Sequence, residues 1–483
     1  MFLAPSEEEN CVIWAMRGGK GVTPMHRLRQ QLGIFLAFVV LLASLTPAAQ
    51  SYFQLPTTQR FSVGEELKLN INFPEQFLQK INFYVHSKDG NKLLYEEKLK
   101  EEQKISYKQS WPIAVEPGKY HIDMKLFGFI PLKSVSIDVM PKIQVVPGGH
   151  SIGVLMRSKG VMVVGYSPIV NEQGEKKYPA KEAGVQVGDL ILAINDQSIT
   201  TDGEAASIID KLGFENKPIK IQVKRKNKIL NLTLHPQYCS ETKRYRVGLY
   251  IRDSAAGVGT LTFYEPKSGI YGALGHIIAD PETSNQIKLG EGKIINASIQ
   301  GINQGEKGKP GEKIGTFIDN TNLSGNISKN SQLGIIGKLN FPISNSLYPN
   351  MVPVAFANQV KEGPAEILTV VEGEKIEKFD ILIEKVNVQQ RPDTKGLVIR
   401  ITDPRLLSIT GGIIQGMSGS PIIQNGQLVG AVTHVFINDP TRGYGVLAEW
   451  MLYEAGILQL NETAVSKGAY APFFYNNICR ILL

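Results

Sequence analysis

The sequence predicts a mainly β protein that is built from several domains. Its 483 residues exceed what one hydrophobic core usually organises, so we expect about two to four domains. Short runs such as LKLNINF and YHIDMKLF alternate apolar and polar residues between Phe61 and Met140, which indicates strands. Beyond Tyr245 the chain is glycine-rich and strand-like, and helical periodicity returns only in EWMLYEAGI near the end. These patterns favour sheets along most of the chain.

The composition of the chain argues against some classes of binding partner and structural cofactor. Hydrophobic residues make up 42% of the chain and charged residues 20%, as in ordinary globular proteins. The net charge of +7 is a mild excess, and the basic residues are scattered rather than gathered in a stripe, so we expect no nucleic-acid partner. Cys11, Cys239 and Cys479 lie far apart without the spacing of metal ligands. We therefore expect neither a zinc site nor a disulfide framework.

An apolar segment near the N-terminus has the outline of an export signal. Leu32 to Leu45 is apolar or small throughout, and histidine and arginine residues precede it. A bilayer span needs roughly 17 to 25 residues, so this segment is short unless its flanks extend it, and a cleaved signal and a retained anchor both stay open. We assign 1–31 to a cytoplasmic leader, with Met16 or Met25 as further possible starts, and 32–50 to a signal or membrane anchor. The rest of the chain is expected outside the cytoplasm.

Residues 58–142 are predicted to form a small antiparallel β domain. Their alternating runs are separated by the turn-like strings KDGN and EPGK. His86 and His121 lie inside strand-like alternation, which favours a solvent-facing or hydrogen-bonded histidine over a catalytic one. We expect a spacer or docking role for this domain.

The next block, residues 143–236, combines strand-like runs with the helical pattern EAASIIDKL. It contains Ala183-Gly184-Val185 followed by Gly188-Asp189-Leu190-Ile191, and on these residues it resembles a PDZ domain. The alternative is a βαβ module without a ligand.

Ser151, Ile152, Gly153 and Val154 stand where the PDZ family has its carboxylate-binding loop. A glycine-bearing turn before a strand aims free backbone N–H groups at a peptide carboxylate, and the strand edge adds the peptide as a further strand. The resemblance therefore implies peptide binding at these four residues, although they depart from the family's Gly-Leu-Gly-Phe pattern.

Residues 245–462 are predicted to form a large, barrel-like β domain, because glycines recur at the turn-rich places that a tightly curved barrel needs. The tail, 463–483, has no assigned role. Within the large domain, Gly416-Met417-Ser418-Gly419-Ser420-Pro421 resembles the nucleophile loop of chymotrypsin-like peptidases. Flanking glycines permit the tight turn that exposes a serine hydroxyl, which indicates Ser418 as nucleophile. The same mapping gives the N–H groups of Gly416 and Ser418 as the oxyanion hole. A plain β-turn is the alternative.

A nucleophilic serine needs a base, and the large domain holds two histidines, His276 and His434. Small residues surround His276 in YGALGHIIAD, which favours an exposed imidazole at a strand end, so we prefer it as general base. His434 follows the nucleophile on the next strand, where a specificity role or a core position is expected. For the acid that orients the imidazole, these arguments leave Asp280 and Asp403 open.

Longer strings identify a more specific resemblance. VGLYIRDSAAGVGTLTFYEPKSGIYGALGHIIAD and ITDPRLLSITGGIIQGMSGSPIIQNGQLVGAVTHVF are similar to the SpoIVB sporulation peptidase family. The resemblance implies a triad of His276, Asp403 and Ser418, which favours Asp403 over Asp280, and an acyl-enzyme mechanism without metal or organic cofactor.

The same resemblance implies a biological setting. It implies export into the intermembrane space of the developing spore and cleavage of a membrane-protein ectodomain, which signals activation of a late mother-cell sigma factor. It also implies self-cleavage near the N-terminus, in a region before Phe61, that releases the enzyme from the membrane. Two rival readings are a non-catalytic PDZ scaffold for spore-membrane proteins and a general envelope quality-control protease.

Overall fold

A computed structural model describes residues 57–459 except 72, 88, 227, 280–285, 288, 319–322, 388 and 390, together with residues 32–35, 38, 44–46, 49, 52 and 55. The predicted leader 1–31, most of the predicted anchor 32–50, the tail 463–483 and the alternative acid Asp280 lie outside the described residues. In the part of the chain that is described, no helix has the length and apolar character to cross a membrane.

The chain divides into two compact units, residues 1–59 with 64–138 and residues 60–63 with 139–483. The first unit is built on a five-stranded sheet in the order β1-β8-β7-β2-β5 and a small sheet in the order β4-β3-β6. The elements are β1 (Thr58–Ser62), α1 (Glu75–Leu78), β2 (Ile81–Ser87), β3 (Leu93–Tyr95), β4 (Lys98–Lys100), β5 (Glu102–Ser106), β6 (Ile113–Ala114), β7 (Gly118–Leu126) and β8 (Ile130–Met140). Alternate residues of β2 are buried, as Ile81, Phe83 and Val85 are, because successive side chains of a strand point to opposite faces.

The second unit begins with mixed elements around two helices. They are β9 (Gln144–Pro147), β10 (Ser151–Tyr166), β11 (Ile169–Val170), β12 (Lys176–Lys177), α2 (Pro179–Glu182), β13 (Leu190–Ile194), β14 (Gln197–Ser198), α3 (Asp202–Phe214), β15 (Ile219–Arg225), β16 (Lys228–Leu234), β17 (Gln237–Cys239) and β18 (Arg244–Arg246). Helix α3 starts at a capping box, in which Thr201 accepts from the Glu204 N–H and the Glu204 carboxylate accepts from the Thr201 N–H.

A large sheet continues from these elements into the glycine-rich region. Its further strands are β19 (Leu249–Glu265), β20 (Ile270–Ala273), β21 (Leu289–Asn303), β22 (Glu312–Ile318), β23 (Ser324–Asn326), β24 (Lys329–Ser331), β25 (Gly334–Lys338) and β26 (Val352–Pro353). Strand β10 lies at the centre of this sheet, antiparallel to β13, β19 and β21. The block that resembles a PDZ domain and the glycine-rich region therefore share one continuous sheet, and the boundaries predicted from the sequence remain predictions.

The chain ends, as far as it is described, in a closed six-stranded barrel of order β27-β28-β29-β32-β31-β30. Its elements are β27 (Gly363–Val370), β28 (Ile376–Val386), β29 (Leu397–Ile401), α4 (Pro404–Thr410), β30 (Pro421–Gln424), β31 (Gln427–Phe436), β32 (Asp439–Leu447) and α5 (Ala448–Glu454). Aliphatic residues such as Ile367, Ile399 and Val432 are fully buried in its core. The predicted mainly β fold with a barrel-like C-terminal part is confirmed.

Candidate active site

The serine-bearing turn lies between α4 and β30 at one end of the closed barrel. Gly416 and Gly419 flank Ser418, and both adopt a φ of +91°, which L side chains rarely take. A Cβ on Gly419 would clash with the carbonyl of Thr260 and the amide of Leu274. Both glycines are therefore required by the turn that exposes Ser418.

Two buried threonines of β19 hold this turn in place. The Thr260 N–H donates to the Ser418 carbonyl at 3.0 Å, and the Thr260 hydroxyl donates to the Gly416 carbonyl at 2.8 Å. The Thr262 hydroxyl donates to the Gly419 carbonyl at 2.8 Å. Both threonines are 0% exposed, so water does not compete for these carbonyls, and the turn is fixed relative to the sheet.

Two amides of the turn are left without acceptors. The Met417 N–H donates to the Ile414 carbonyl at 3.1 Å, whereas the N–H groups of Gly416 and Ser418 donate to no group in the described part of the chain. Gly416 and Ser418 both line the same cavity. Unpaired amides that line a cavity are suited to bind an oxyanion, which matches the role predicted for them.

The cavity has a volume of about 580 Å³ and a largely apolar wall. His276, Ser418 and His434 supply its titratable and nucleophilic groups. The wall is completed by Val154, Ala255, Ala256, Gly257, Val258, Leu274, Ile277, Ile278, Ala279, Ile413, Ile414, Gln415, Gly416, Thr433 and Val435. No aspartate, glutamate, lysine or arginine is among these described wall residues. The structure thus brings the predicted base and nucleophile together in a cavity that suits an uncharged side chain.

His276 follows β20, and its ring orientation is set by its own backbone neighbour. The Nδ1 atom lies 2.8 Å from the Ile277 carbonyl oxygen. Because a carbonyl only accepts, Nδ1 carries the hydrogen and Nε2 keeps a free lone pair. Burial lowers the pKa of His276, and the Ile277 carbonyl opposes that effect only in part. The ring is therefore neutral at pH 7 and able to accept a proton at Nε2.

The Ser418 hydroxyl does not bond the imidazole in this conformation. Its Oγ donates to the Thr433 carbonyl at 2.9 Å, and no bond to His276 is found between these two described residues. Thr433 is on β31, the second strand after the serine turn. A rotation of the Ser418 side chain is needed before its proton can pass to a base.

His434 is the immediate neighbour of His276. The ring centroids lie 5.1 Å apart at an interplanar angle of 44°. Burial, the positive form of His276 and the Lys395 ammonium together lower the pKa of His434 to about 4. His434 as a whole residue is nevertheless exposed to solvent. His434 is thus a neutral wall residue of the cavity rather than a core histidine.

The structure does not bring Asp403 to this pair. Asp403 is the N-cap of α4, and its Oδ1 accepts from the Leu406 N–H at 2.9 Å. Its Oδ2 accepts from the Asp380 N–H at 3.4 Å. In the described residues we find no hydrogen bond from Asp403 to His276, and Asp403 is not part of the cavity wall. The carboxylate serves here as a helix cap, and its predicted place in a triad stays a prediction.

The segment predicted to bind a peptide carboxylate lies inside a sheet rather than at a free strand edge. Ser151, Ile152, Gly153 and Val154 begin β10 and pair with β19 on one edge. On the other edge Ile152, Gly153 and Val154 pair with β21. Since both edges are occupied, no strand edge is left for an added peptide, and this assignment is corrected: the four residues belong to the interior of the large sheet.

A buried lysine beside the serine turn was missed by the sequence reasoning. Lys313 of β22 is 5% exposed, and its Nζ donates to the Thr369 hydroxyl at 2.7 Å. Its side-chain carbons would lie 3.0 Å from a Cβ on Gly416, and its N–H donates to the Gln415 carbonyl at 3.0 Å. Burial lowers its pKa to about 7. Nothing in the string EKIGTFI distinguishes this lysine from an exposed one.

In the described ranges, no group of three or more histidine, cysteine, aspartate or glutamate side chains is arranged to hold a metal ion.

Comparisons with known families match two parts of the chain. Residues 243–452 match the family described as SpoIVB peptidase S55. Residues 172–225 match the PDZ domain family. The first match covers the serine turn, both histidines and Asp403, and the second covers α2, α3 and the strands between and after them.

The individual proteins and structures that resemble the chain have low sequence identity to it. A curated protein from Treponema pallidum (strain Nichols), described as "Putative zinc metalloprotease", is 27% identical over 145 residues, which is 29% of this chain. The chain thus spans about 30% of the length of that curated relative. Among solved structures, the active form of the Rv3671c protease from M. tuberculosis has 17% identity and a TM-score of 0.24, covering 42% of this chain and 76% of that chain. The HtrA-type protease AlgW with a decapeptide has 11% identity and a TM-score of 0.24, covering 42% and 53%.

Proposed function

From the match of residues 243–452 to the SpoIVB peptidase S55 family, we propose that the protein is a serine endopeptidase with Ser418 as nucleophile and His276 as general base. The observation that carries the proposal is one cavity that contains the hydroxyl of Ser418, the imidazole of His276 and the unpaired amides of Gly416 and Ser418. Nucleophile, base and oxyanion donors are the three parts that acyl transfer requires.

In the proposed reaction the Ser418 side chain first leaves the Thr433 carbonyl. His276 Nε2 takes the Oγ proton while Oγ forms a bond to the peptide carbonyl carbon, and the resulting oxyanion accepts from the Gly416 and Ser418 amides. The C–N bond then breaks, and the imidazolium returns the proton to the leaving amine. A water molecule then gives a proton to Nε2 as its oxygen bonds to the acyl carbon. The imidazolium returns that proton to Oγ as the bond between Oγ and the acyl carbon breaks, which releases the acid product and restores Ser418. No step needs a metal or an organic cofactor.

The third member of the proposed triad is Asp403, as the family resemblance implies. Its carboxylate accepts from the N–H groups of Leu406 and Asp380. Orientation of His276 by Asp403 would therefore require a rearrangement at the start of α4. In the described conformation the Ile277 carbonyl performs the orienting role.

Labelling with a fluorophosphonate tests the proposed nucleophile. We expect the wild-type chain to take up one label, found by peptide mass spectrometry on Ser418, and Ser418→Ala to take up none. Ser420→Ala is the matched control, because Ser420 lies two residues further on, is 0% exposed and has a hydroxyl with no hydrogen-bond partner among the described residues. An unlabelled wild-type chain, or equal labelling of Ser418→Ala, would replace the peptidase by the rival proposal of a PDZ scaffold.

The proposed substrates are proteins: the chain itself and the ectodomain of a membrane protein. The apolar cavity wall supports scission beside uncharged side chains. Mass measurement of the exported chain tests self-cleavage. We expect wild type to lose an N-terminal fragment that ends before Phe61, and Ser418→Ala to stay intact. Equal fragmentation in both would assign the cut to another protease.

The proposed setting is the space between the two membranes of a developing spore, with the chain anchored through residues 32–50 and then released. There the cut ectodomain would signal activation of a late mother-cell sigma factor. The family match supports this proposal. A sigma-factor-dependent reporter in sporulating cells tests it: we expect no reporter activity in a Ser418→Ala strain and full activity in Ser420→Ala. Broad cleavage of casein would instead favour general envelope quality control.

A further inference from the structure

The turn between β7 and β8 exposes three large apolar side chains in one place. Phe127 is 56% exposed, Phe129 is 73% exposed and Ile130 is 41% exposed. The two phenyl rings stack with their centroids 6.4 Å apart. They form one apolar tip rather than scattered surface residues, and a contiguous exposed patch of this kind indicates a binding surface. We call Phe127, Gly128, Phe129 and Ile130 the aromatic tip.

The backbone holds the aromatic tip in a fixed, outward conformation. Phe127 has a φ of +54°, which is rare for a bulky residue and marks a local strain that the surroundings maintain. The Phe127 N–H donates to the Lys80 carbonyl at 2.8 Å, and the Tyr84 hydroxyl donates to the Gly128 carbonyl at 3.3 Å. Gly128 has a φ of +85°, a conformation that L side chains rarely adopt, so glycine is favoured there. The tip is presented by the sheet.

Positive charge surrounds the base of the aromatic tip. Lys125 lies on β7, two residues before the aromatic tip begins. Its ammonium lies 4.5 Å from the centre of the Tyr84 ring. The Lys104 ammonium lies 5.6 Å from the centre of the same ring, and Lys80 is exposed just before β2 begins. Residues 124–137 contain no aspartate or glutamate. Two acids lie on the same sheet face: Asp123 is opposite Tyr84 in the ladder, and Glu102 is opposite His86, further from the tip.

We propose that the aromatic tip inserts into the interface of an anionic lipid bilayer while Lys80, Lys104 and Lys125 contact the lipid headgroups. Aromatic and aliphatic side chains ringed by lysines match the chemistry of such a surface, with an apolar layer below and negative charge above. The tip is convex and four residues long, so it suits a deformable lipid layer better than a rigid partner groove. The proposal does not depend on the peptidase activity.

Depth-dependent quenching in the full-length chain tests the proposal. Phe129→Trp places a fluorophore at the tip, and Phe214→Trp is the matched control, because Phe214 is 83% exposed at the end of α3. Each variant is bound to vesicles of brominated phosphatidylglycerol or brominated phosphatidylcholine, and the wild-type signal is subtracted. All chains share residues 32–50, so the difference reports the position of the added tryptophan.

We expect the tryptophan at position 129 to be quenched about twofold or more by brominated phosphatidylglycerol, and the one at position 214 to be unaffected. Quenching at 129 should decrease in about 0.5 M salt and in the variant Lys80→Gln/Lys125→Gln, since both weaken headgroup attraction. Equal quenching at 129 and 214, or none at 129, would overturn the proposal. So would equal quenching by the neutral lipid, and so would a dimer that Phe127→Ser/Phe129→Ser dissociates in the absence of lipid.

Discussion

The hydroxyl of Thr260 donates a 2.8 Å hydrogen bond to the carbonyl of Gly416. Through this bond, strand β19 of the large sheet holds the turn that carries the proposed nucleophile and lies at the end of the barrel. Gly416 also carries one of the two proposed oxyanion amides. The hydrogen bond to its carbonyl therefore helps to set the position of that amide. Thr260 and Gly416 are 156 residues apart in the sequence. The position of the oxyanion donors therefore depends on a strand that is distant in the chain.

Thr260→Val removes this hydrogen bond and keeps the shape of the side chain. The Gly416 carbonyl then loses a buried partner, at a cost of about 1 to 3 kcal/mol, and the adjacent amide is less well aimed. We expect kcat to fall about tenfold or more with little change in KM, because an oxyanion donor acts in the transition state. Steady-state kinetics on a peptide substrate measures this, and a change confined to KM would contradict it.

Asp403→Asn separates the two roles of Asp403. Asparagine is a good helix N-cap, so the variant keeps the hydrogen bond to the Leu406 N–H but loses the charge and the second carboxylate oxygen, which accepts from the Asp380 N–H. If the cap is its whole role, kcat stays within about threefold of wild type, whereas loss of a triad acid lowers kcat by roughly 10⁴-fold. Because we propose Asp403 as the triad acid, we expect the larger effect, and the smaller one would leave Asp403 the role of a helix cap alone. Asp403→Ala, which also removes the cap, should lower the free energy of unfolding by about 1 kcal/mol.

Lys313→Met keeps the packing against Gly416 and removes a buried ammonium. The folded-state pKa of Lys313 is lowered to about 7 from an ordinary value of 10.5. The unfolded chain therefore binds a proton that the folded chain has lost, and wild-type stability falls as pH falls from about 10.5 to about 7. We expect Lys313→Met to be more stable at pH 7 by about 2 kcal/mol, after the loss of the Thr369 partner is included.

Urea unfolding at pH 7 and pH 10 measures the Lys313 effect. The difference in stability between these two pH values should be smaller in Lys313→Met than in wild type. Lys338→Met, at an exposed end of β25, is the matched control and should leave the pH dependence unchanged. An unaltered pH dependence in Lys313→Met would show that the ammonium is not dehydrated in the folded chain.

Acid should destabilise the fold through His150 and His434. Burial lowers the pKa of each to about 4. Unfolded histidine has a pKa near 6.5, so between about 6.5 and about 4 the unfolded chain binds protons that the folded chain does not, and stability falls as pH falls through this range. The loss at His150 is about 3 kcal/mol, and His434 contributes less because part of its ring is exposed. Unfolding of His150→Leu at pH 7 and pH 4.5 should show a smaller loss than wild type.

The acid limb of the pH–rate profile should lie below pH 6.5. Burial lowers the pKa of His276, so its base form persists at lower pH than that of a free histidine. The logarithm of kcat/KM against pH, taken over a range in which the fold is intact, measures this value. An acid limb above pH 6.5 would mean that another group, or a charged partner of His276, controls activity.

Much of the fold was predictable because strand alternation is local. The runs in β2 and β7 bury every second residue, as their sequence pattern predicts. The serine turn was predictable because only glycine tolerates the φ of +91° on both sides of Ser418. The proximity of His276 to the serine followed from chemical necessity, since a nucleophilic serine needs a base.

What was not predictable depends on pairing between distant segments. The sequence of Ser151 to Val154 predicted a loop before a free strand edge. In the structure β19 and β21 pair with both edges of this segment, and local sequence does not reveal such tertiary contacts. Lys313 occupies the single buried position of β22, where its ammonium donates to Thr369 of the barrel, and local sequence does not reveal that contact. Asp403 caps α4 in the described conformation, a contact that the family resemblance, which implies a triad acid, did not predict.

The bond from Ser418 to the Thr433 carbonyl has a further consequence. A carbonyl cannot remove a proton at neutral pH, so in this rotamer the hydroxyl is unreactive. Breaking this bond costs about 1 kcal/mol unless another acceptor, such as His276 Nε2, takes the hydroxyl proton in its place. A substrate N–H that donated to the Thr433 carbonyl would compete with Ser418 for that acceptor. The enzyme proposed here would then be switched on by the rotation of one side chain.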